Sequence, residues 1–255
     1  MNVMTAAARK AGRTLARDFG EVEQLQVSLK GPANFVTAAD QRSEEILYQE
    51  LARTRPGYSF LFEERGIVEG ADKSHRWIID PLDGTTNFLH GIPLFAISIA
   101  LEREGELVAG LIYNPASAEL FTAERGGGAF LNDRRIRVAA RHKIAEYVIA
   151  TGIPHLGRPG HELFLKECGE VMGRVAGVRR CGAAALDLAW VAAGRFDGFW
   201  ERDLNPWDIA AGALLVREAG GFVSDTDGKQ NWLATGEIVA GNESVSRDLT
   251  KILKK

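Results

Sequence analysis

Apolar residues recur at helical spacing near both ends of the chain. In residues 3–19 and 41–53 the apolar positions fall three or four residues apart, which predicts two helices before Pro56-Gly57. The same spacing returns after residue 158, so the second half of the chain is also predicted to be rich in helices. The later helices are predicted at residues 160–175, 183–193, 209–218 and 244–253.

Short apolar runs bounded by turn residues predict the strands. Those in the middle of the chain follow one another closely, and Glu104-Gly105 predicts a hairpin turn between two of them, so this section is predicted to form a meander. Later strands alternate with helices, which indicates a layered α/β or α+β fold. The strands are predicted at residues 59–62, 77–79, 96–101, 107–113, 119–122, 177–181, 197–200, 222–224 and 238–240.

The composition is that of a globular protein with a substantial core. Hydrophobic residues make up 45% of the 255 positions, and the formal net charge of −3 gives no bulk attraction to nucleic acid or to an acidic membrane. The two cysteines, Cys168 and Cys181, cannot form a disulfide framework. Residues 1–19 lack the apolar core of a signal peptide, and no apolar run is long enough to span a bilayer. We therefore expect a soluble, cytoplasmic protein with no membrane partner.

Acidic residues stand at three points that end a strand or begin a helix. Asp80 and Asp83 follow one predicted strand, the pair Glu63-Glu64 follows another, and Asp208 begins a helix. An isolated Asp-Gly is usually only a turn, and capping alone would account for Asp208, but neither explains all three points. Ligand sites in α/β folds lie at strand ends. Neighbouring carboxylates repel by about 1 kcal/mol at 4 Å in water, and by more when partly buried, so such a cluster needs cations or protons.

The pattern extends over six segments of the chain, in this order: residues 36–40, 63–64, 80–88, 179–188, 197–201 and 207–212. Together they resemble the inositol monophosphatase family of lithium-sensitive, magnesium-dependent phosphatases. The resemblance covers nearly the whole chain, and the version found here is most similar to the bacterial inositol-1-monophosphatases. It implies a layered αβαβα sandwich, as in fructose-1,6-bisphosphatase, with residues 1–255 as one catalytic domain. It also implies a metal-site half at about residues 1–145 and a substrate half at about residues 146–255.

The resemblance implies a magnesium site built from oxygen atoms alone. Two or three Mg²⁺ ions are expected in each active site, with Mn²⁺ able to substitute. Hard magnesium fits carboxylate and carbonyl ligands, whereas the lack of His and Cys ligands argues against zinc. Glu64 is open to three interpretations: a ligand of a third metal, a residue behind the ligands, or a solvated neighbour of Glu63. The expected ligands are Glu63, Asp80, the carbonyl of Leu82, Asp83, Thr85 and Asp208.

By the same resemblance, Asp40 and Thr85 orient the water that attacks the phosphorus, with Glu63 as a further catalytic residue. The amides of Gly84 and Thr85 are expected to hold phosphate oxygens. Glu201 is expected to contact a substrate hydroxyl, against the alternative of an exposed acid at a strand end. The expected substrate contacts are Asp83, Gly84, Thr85, Gly182, Ala184, Glu201 and Asp208.

The expected reaction is hydrolysis of a small phosphorylated polyol, and myo-inositol 1-phosphate is the first candidate. Related enzymes use the same metal core on histidinol phosphate, fructose 1,6-bisphosphate or a nucleotide 3′-phosphate, so these substrates remain alternatives. A second alternative is a regulatory or RNA-associated role in contact with the transcription machinery. A homodimer is expected from the family, with Arg179-Arg180 either at its interface or guiding a phosphate. The five histidines show no metal-ligand spacing and are expected outside the site.

Overall fold

Two helices and a β-hairpin precede the first large sheet. The computed structural model describes residues 1–21, 27–31 and 34–254. Helix α1 (Asn2–Phe19) packs against helix α2 (Ala38–Thr54), and strands β1 (Val27–Gly31) and β2 (Asn34–Thr37) pair antiparallel between them. Both helices were predicted from the sequence, whereas the hairpin was not.

Eight strands form the first sheet. They are β3 (Tyr58–Phe62), β4 (Gly66–Val68), β5 (Asp72–Asp83), β6 (Ala96–Arg103), β7 (Glu106–Asn114), β8 (Glu119–Glu124), β9 (Gly128–Leu131) and β10 (Arg134–Arg135). Their spatial order is β10-β9-β8-β7-β6-β5-β3-β4. Successive antiparallel pairings join β5 to β10, so the predicted meander is confirmed for these strands but not for β3, which pairs parallel with β5. Strands β3 and β5 run parallel and therefore end at the same edge of the sheet. A short helix, α3 (Thr85–Leu89), follows β5.

Five strands form the second sheet. They are β11 (Val148–Thr151), β12 (Gly177–Arg179), β13 (Gly198–Glu201), β14 (Phe222–Ser224) and β15 (Ile238–Gly241), ordered β12-β11-β13-β15-β14. Strands β11 and β13 are parallel neighbours, so both also end at one edge. The remaining helices are α4 (His161–Met172), α5 (Ala184–Ala192), α6 (Pro206–Glu218), α7 (Trp232–Thr235) and α8 (Glu243–Leu253).

The helices and sheets stack in five layers. Helices α1 and α2 cover one face of the eight-stranded sheet, α5 and α6 lie between the two sheets, and α4 and α8 cover the outer face of the five-stranded sheet. Three apolar cores fill the gaps between the layers: one beneath α1 and α2, one around α5 and α6 between the two sheets, and one beneath α4 and α8. Consecutive residues of β13 show the alternation, since Phe199 is buried in the inner core and Trp200 in the outer one. The predicted αβαβα sandwich is confirmed.

Small residues allow the middle layer to be thin. A Cβ atom at Gly110 in β7 would lie 2.9 Å from the carbonyl oxygen of Ala211 in α6. On the opposite side of α6, a Cβ atom at Gly212 would lie 2.5 Å from the Cβ of Leu188 in α5. Both distances are shorter than carbon atoms tolerate, so glycine at these positions lets α6 approach both neighbours. The N-terminus of α6 carries Asp208, and this close packing fixes where that carboxylate lies.

The structure differs from the predicted elements most clearly at short strands and near the acidic residues. Strand β5 spans Asp72–Asp83 instead of residues 77–79, so Asp80 and Asp83 lie within its irregular end and not beyond it. Strands β1, β2, β4, β9, β10 and β11, each of five residues or fewer, were not predicted. Within the described ranges, no helix is long and apolar enough to cross a membrane.

Candidate active site

An open pocket of about 250 Å³ lies where residues from the first half of the chain meet residues from the second half. One side of its wall comes from residues 63–86, at the ends of β3 and β5 and the start of α3, and the other from residues 152–208. The structure therefore brings together the residues that the sequence assigned to metals and those assigned to substrate. Among the predicted residues, Asp40 is not part of the wall and contacts it through Thr85. The predicted residues that line the pocket are Glu63, Asp80, Leu82, Asp83, Gly84, Thr85, Gly182, Ala184, Glu201 and Asp208.

The end of β5 is shaped by a local break in pairing and a left-handed turn. The register with β6 shifts between Asp80 and Asp83, and the amide of Leu82 donates to Oδ1 of Asp80 at 2.9 Å. Gly84 has a φ of +87°, and a Cβ atom there would lie 2.8 Å from the carbonyl oxygen of Leu94. Glycine is therefore required both by the turn and by space. The turn brings Thr85 to the pocket directly after the acidic residues.

Asp40 is fixed at the start of α2 by a reciprocal capping box. Its Oδ2 atom accepts from the amide of Thr37 at 2.8 Å and from the Thr37 hydroxyl at 2.5 Å, while the Thr37 hydroxyl accepts from the amide of Asp40. The other oxygen, Oδ1, lies 3.1 Å from the hydroxyl of Thr85, which also lies 3.0 Å from the carbonyl of Leu82. Burial raises the pKa of Asp40 to about 6 against the lowering effect of these hydrogen bonds.

Two further pocket carboxylates, besides Asp80, are held by backbone amides. The amide of Ala185, in the first turn of α5, donates to Oδ2 of Asp83 at 2.8 Å and so links the two halves of the wall. The amide of Asn205 donates to Oδ2 of Asp208 at 2.7 Å in a capping box at the start of α6. Asp208 therefore stabilises the start of α6 and also lines the pocket, so capping is not its only role.

Burial and mutual repulsion raise the pKa values of the acidic group. Burial is the main cause for Asp80, with repulsion from Glu63 next, and burial followed by repulsion from Asp208 raises the pKa of Asp83. The pKa of Asp208 rises to about 7, again chiefly through burial. Burial and repulsion thus disfavour the charged forms of these carboxylates. A bound divalent cation would offset the repulsion and favour the charged forms.

The donor set fits a hard divalent cation. Every candidate ligand is a carboxylate, hydroxyl or carbonyl oxygen, as magnesium prefers. Among residues 1–21, 27–31 and 34–254, no three acidic, His or Cys side chains are grouped tightly enough to enclose a metal by themselves. Magnesium commonly keeps several waters and binds through a few carboxylates and substrate phosphate oxygens, so an open, partly assembled oxygen site is compatible with it.

Glu201 lies on the opposite wall, at the end of β13. It is partly buried and lines the pocket, so it is not the exposed strand-end acid of the alternative interpretation. Burial, followed by repulsion from Asp187 and Asp208, raises the pKa of Glu201 to about 8, while Arg158 and Arg180 act in the opposite direction.

Four further residues of the wall are Asp187, Arg158, Arg180 and His155, of which only Arg180 was given a possible role in the site from the sequence. Asp187 is buried, with its Oδ1 atom lacking a hydrogen-bond partner. The guanidinium of Arg158 is anchored by a 2.8 Å hydrogen bond to the carbonyl of Asp203, and Arg180 also lines the pocket, as a phosphate-guiding role would require. His155 is part of the wall, so the expectation that all histidines lie outside the site does not hold for it. Residues 152–160 carry no regular period that could have signalled this position.

Phe62 and Glu64, next to the metal-side glutamate, do not line the pocket. The Phe62 ring is fully buried in the core beneath α2, where it stacks on Phe60 with the ring centroids 5.2 Å apart. Phe62 is therefore a core residue next to the site and not part of the pocket wall. The amide of Glu64 donates to Oε2 of Glu44 in α2 at 3.1 Å, which anchors this segment to the helix.

The chain is similar along its whole length to proteins of a known type. Residues 1–255 match the model of the inositol monophosphatase family. The inositol-1-monophosphatase of Mesorhizobium japonicum is 66% identical over 100% of this chain and 96% of its own length. The Nus factor SuhB of Escherichia coli strain K12 is 44% identical over 96% of this chain and 92% of its own length. The crystal structure of the extragenic suppressor protein suhB from Bartonella henselae has a TM-score of 0.98 at 60% identity, covering 100% of this chain and 98% of that one.

Proposed function

The chain belongs to the inositol monophosphatase family and is a metal-dependent phosphomonoesterase, and from this premise we propose that it hydrolyses myo-inositol 1-phosphate to myo-inositol and phosphate. The observation that carries the proposal is the pocket itself, in which an acidic wall at residues 63–86 faces Glu201 and the start of α5. A compact polyol phosphate fits such a pocket, with its phosphate toward the first wall and its hydroxyls toward the second. Relatives named inositol-1-monophosphatase at 66% and 60% identity support the choice of substrate.

Magnesium is the proposed metal, with two or three ions per site and Mn²⁺ as a substitute. Glu63, Asp80, the Leu82 carbonyl, Asp83 and Asp208 would hold the ions, with Thr85 as a further oxygen ligand. When bound, the ions supply Lewis-acid polarisation of the phosphoryl group and a lower pKa for bound water. Lithium is proposed to inhibit turnover at saturating magnesium, and insensitivity to lithium would indicate a different geometry at one of the metal positions.

Asp40 and Thr85 are proposed to orient and deprotonate the attacking water. Because the Thr85 hydroxyl donates to Asp40, its oxygen remains able to accept a hydrogen bond from the water. Asp40, whose pKa is raised to about 6, is suited to receive the proton through Thr85. Glu63, which lines the pocket, is proposed as a further catalytic residue. The amides of Gly84 and Thr85 would hold phosphate oxygens. The oxygen of water then forms the new bond to phosphorus while the bond to the polyol oxygen breaks, and the leaving polyol oxygen takes up a proton from solvent water.

Substrate hydroxyls are proposed to contact the wall formed by the second half of the chain. Glu201 and Asp208 offer carboxylate oxygens, and the backbone at Gly182 and Ala184 offers further polar groups. Asp83 would contact the substrate as well as a metal. We further propose that residues 1–255 act as one catalytic domain, with metal binding in about residues 1–145 and substrate binding in about residues 146–255. The separation of the pocket wall into residues 63–86 and 152–208 supports this division.

Phosphate release from a substrate panel tests the proposal. The panel contains myo-inositol 1-phosphate, histidinol phosphate, fructose 1,6-bisphosphate and adenosine 3′,5′-bisphosphate, each with and without magnesium. Magnesium-dependent release that favours inositol 1-phosphate is expected, and Asp83→Asn and Asp208→Asn should each abolish most of it while the protein stays folded. Selectivity for another member of the panel would replace the substrate, and no release from any would overturn the proposal.

A regulatory role is a second candidate, because a relative at 44% identity is named a Nus factor. A pull-down of purified RNA polymerase and elongation factors with this protein tests it, and the Asp83→Asn variant shows whether any contact needs the active site. We also propose a homodimer, which light scattering would test. The exposed apolar side chains on and before α4 are suited to such an interface: Ile153, Leu156, Leu163, Leu165 and Met172.

A further inference from the structure

Gly152 and Glu201 lie side by side at the edge of the second sheet that forms the pocket wall. Strands β11 and β13 run parallel with Thr151 opposite Trp200, so the next residue of each chain segment is Gly152 or Glu201. The Thr151 hydroxyl donates to the carbonyl of Trp200 at 2.8 Å, which fixes the two strand ends together. Both Gly152 and Glu201 line the pocket.

The Glu201 carboxylate occupies the space that a side chain at residue 152 would need. A Cβ atom on Gly152 would lie 1.9 Å from both Cδ and Oε1 of Glu201, and 2.2 Å from Oε2. These are the three nearest atoms to that position, and all belong to the carboxylate. Any residue other than glycine at this position must therefore displace the carboxylate from where it now lies.

The backbone does not itself require glycine at residue 152. Gly84 and Gly182, elsewhere in the pocket, adopt positive φ angles of +87° and +81°, which disfavour other residues regardless of space. Gly152 does not adopt a positive φ, so alanine would fit its backbone conformation. The closest obstacle to a side chain at this position is therefore the Glu201 carboxylate and not the backbone conformation.

We infer that Gly152 is a specificity-determining residue, which acts by leaving open the niche in which the Glu201 carboxylate lies and so sets where a polyol hydroxyl is recognised. The inference rests on the proposed function, since it assigns Glu201 a substrate hydroxyl. Gly152 is on the wall opposite Asp80 and Glu63, so its effect falls on recognition of the polyol more than on chemistry at the phosphate. The substrate class that this wall selects is a compact ring with several hydroxyls, in preference to a phosphate ester without hydroxyls.

A double-mutant cycle tests this positioning role. The variants are Gly152→Ala, Glu201→Ala and the double substitution, assayed with myo-inositol 1-phosphate and with p-nitrophenyl phosphate, which has no hydroxyl on its leaving group. Gly152→Ala is expected to raise KM for inositol 1-phosphate about 10- to 100-fold and to reduce the preference over p-nitrophenyl phosphate by a similar factor. In the Glu201→Ala background, where the niche is empty, the same substitution should change that preference less than about two-fold.

Two further variants separate positioning from general damage to the fold. Gly169 lies on α4, and a Cβ atom added there would have no atom within 4 Å. The Gly169→Ala variant should therefore show unchanged kinetics with both substrates. Glu201→Asp, whose carboxylate is set back by one methylene group, should recover part of the lost preference in the Gly152→Ala protein. An unchanged preference in Gly152→Ala, or an equal loss with and without Glu201, would overturn the inference.

The melting temperature provides a readout that needs no turnover. Gly152→Ala is expected to lower Tm, and Glu201→Ala should remove that effect because it removes the clash. If the wild-type protein hydrolyses p-nitrophenyl phosphate but not inositol 1-phosphate, the proposed substrate is wrong, and the cycle is run on the polyol phosphate that is preferred. Additive Tm changes in the cycle would overturn the steric coupling whatever the substrate.

Discussion

The hydroxyl of Thr85 donates to Oδ1 of Asp40 at 3.1 Å, across 45 positions of the sequence. This contact joins the start of α2 to the turn after β5, and it places a buried carboxylate behind a hydroxyl that faces the pocket. Asp40 does not itself line the pocket, and this hydrogen bond joins it to a residue that does. The hydrogen-bonded path from Asp40 to a water in the pocket therefore runs through Thr85.

Replacing Thr85 by valine should nearly abolish turnover without unfolding the protein. Valine keeps the branched shape of threonine but removes the oxygen that links Asp40 to the pocket. A general-base path is worth about 10²- to 10⁴-fold in rate, so kcat should fall by that order. Steady-state kinetics on inositol 1-phosphate at saturating magnesium measures the change.

The matched control for this variant is Thr235→Val. Thr235 is an exposed residue of α7 and is not part of the pocket wall, so the same chemical change should leave kcat near that of the wild type. A Thr85→Val protein that kept more than about a tenth of its kcat would be incompatible with the proton path through this hydroxyl.

The acidic part of the site could be predicted because its signals are local in the sequence. Asp80 and Asp83 follow a buried apolar run within one short segment, and the layered fold followed from the alternation of strands and helices. The spacing alone could not bring Glu201 into the same pocket as Asp83, because their distance depends on how the two sheets stack around α5 and α6. That placement was expected from the family resemblance only.

The remaining wall could not be predicted because it depends on strand pairing. His155 and Arg158 lie between β11 and α4, in a segment without period, and β11 itself was not predicted. The position of this loop is set by the pairing of β11 with β13. The same holds for Gly152, whose significance appears only when the carboxylate of Glu201 is placed against it.

The metal-free protein should lose stability as pH rises from 5 to 9. Burial raises the pKa of Asp187 to about 8, of Glu201 to about 8 and of Asp208 to about 7, so the folded state binds more protons than the unfolded state above about pH 4. This stabilisation is complete below the unfolded pKa values and is lost as pH passes through 7 to 8. Thermal denaturation in EDTA across this range measures it.

Magnesium should reverse that dependence. Cations bind the deprotonated carboxylates, so the rise in Tm on adding magnesium should be larger at pH 8 than at pH 5. Asp187→Asn removes one titrating group and should make the fall of Tm in EDTA shallower. A Tm in EDTA that increased steadily from pH 5 to pH 9 would contradict the assignment of these buried carboxylates as protonated in the free protein.

Replacing Gly84 by alanine should impair the turn that follows β5. A positive φ costs an alanine about 1–2 kcal/mol, and the new Cβ would also lie 2.8 Å from the Leu94 carbonyl oxygen. Gly91→Ala is the matched control, since Gly91 has a φ of +69° with no atom within 4 Å of the new Cβ. Both variants should lower Tm, with the larger fall in Gly84→Ala. A large loss of kcat is expected for Gly84→Ala alone, because only that turn carries Thr85, and equal kcat values for the two variants would contradict this.

Asp197 holds together the two strands whose far ends form the substrate side of the pocket. It is fully buried, and its two oxygens accept from Nε of Arg141 at 2.6 Å and from the amide of Val148 at 2.8 Å, which ties the start of β11 to the start of β13. Asp197→Ala leaves that amide without its partner, so the free energy of unfolding should fall by about 2–3 kcal/mol. Glu69→Ala removes an exposed ion pair with Lys73 and should leave Tm essentially unchanged. Strand β13 ends at Glu201, and Gly152 directly follows β11. The Asp197→Ala protein should therefore also lose preference for inositol 1-phosphate over p-nitrophenyl phosphate before it loses kcat. An unchanged preference in a destabilised protein would show that the ends of β11 and β13 at the pocket are held together without Asp197.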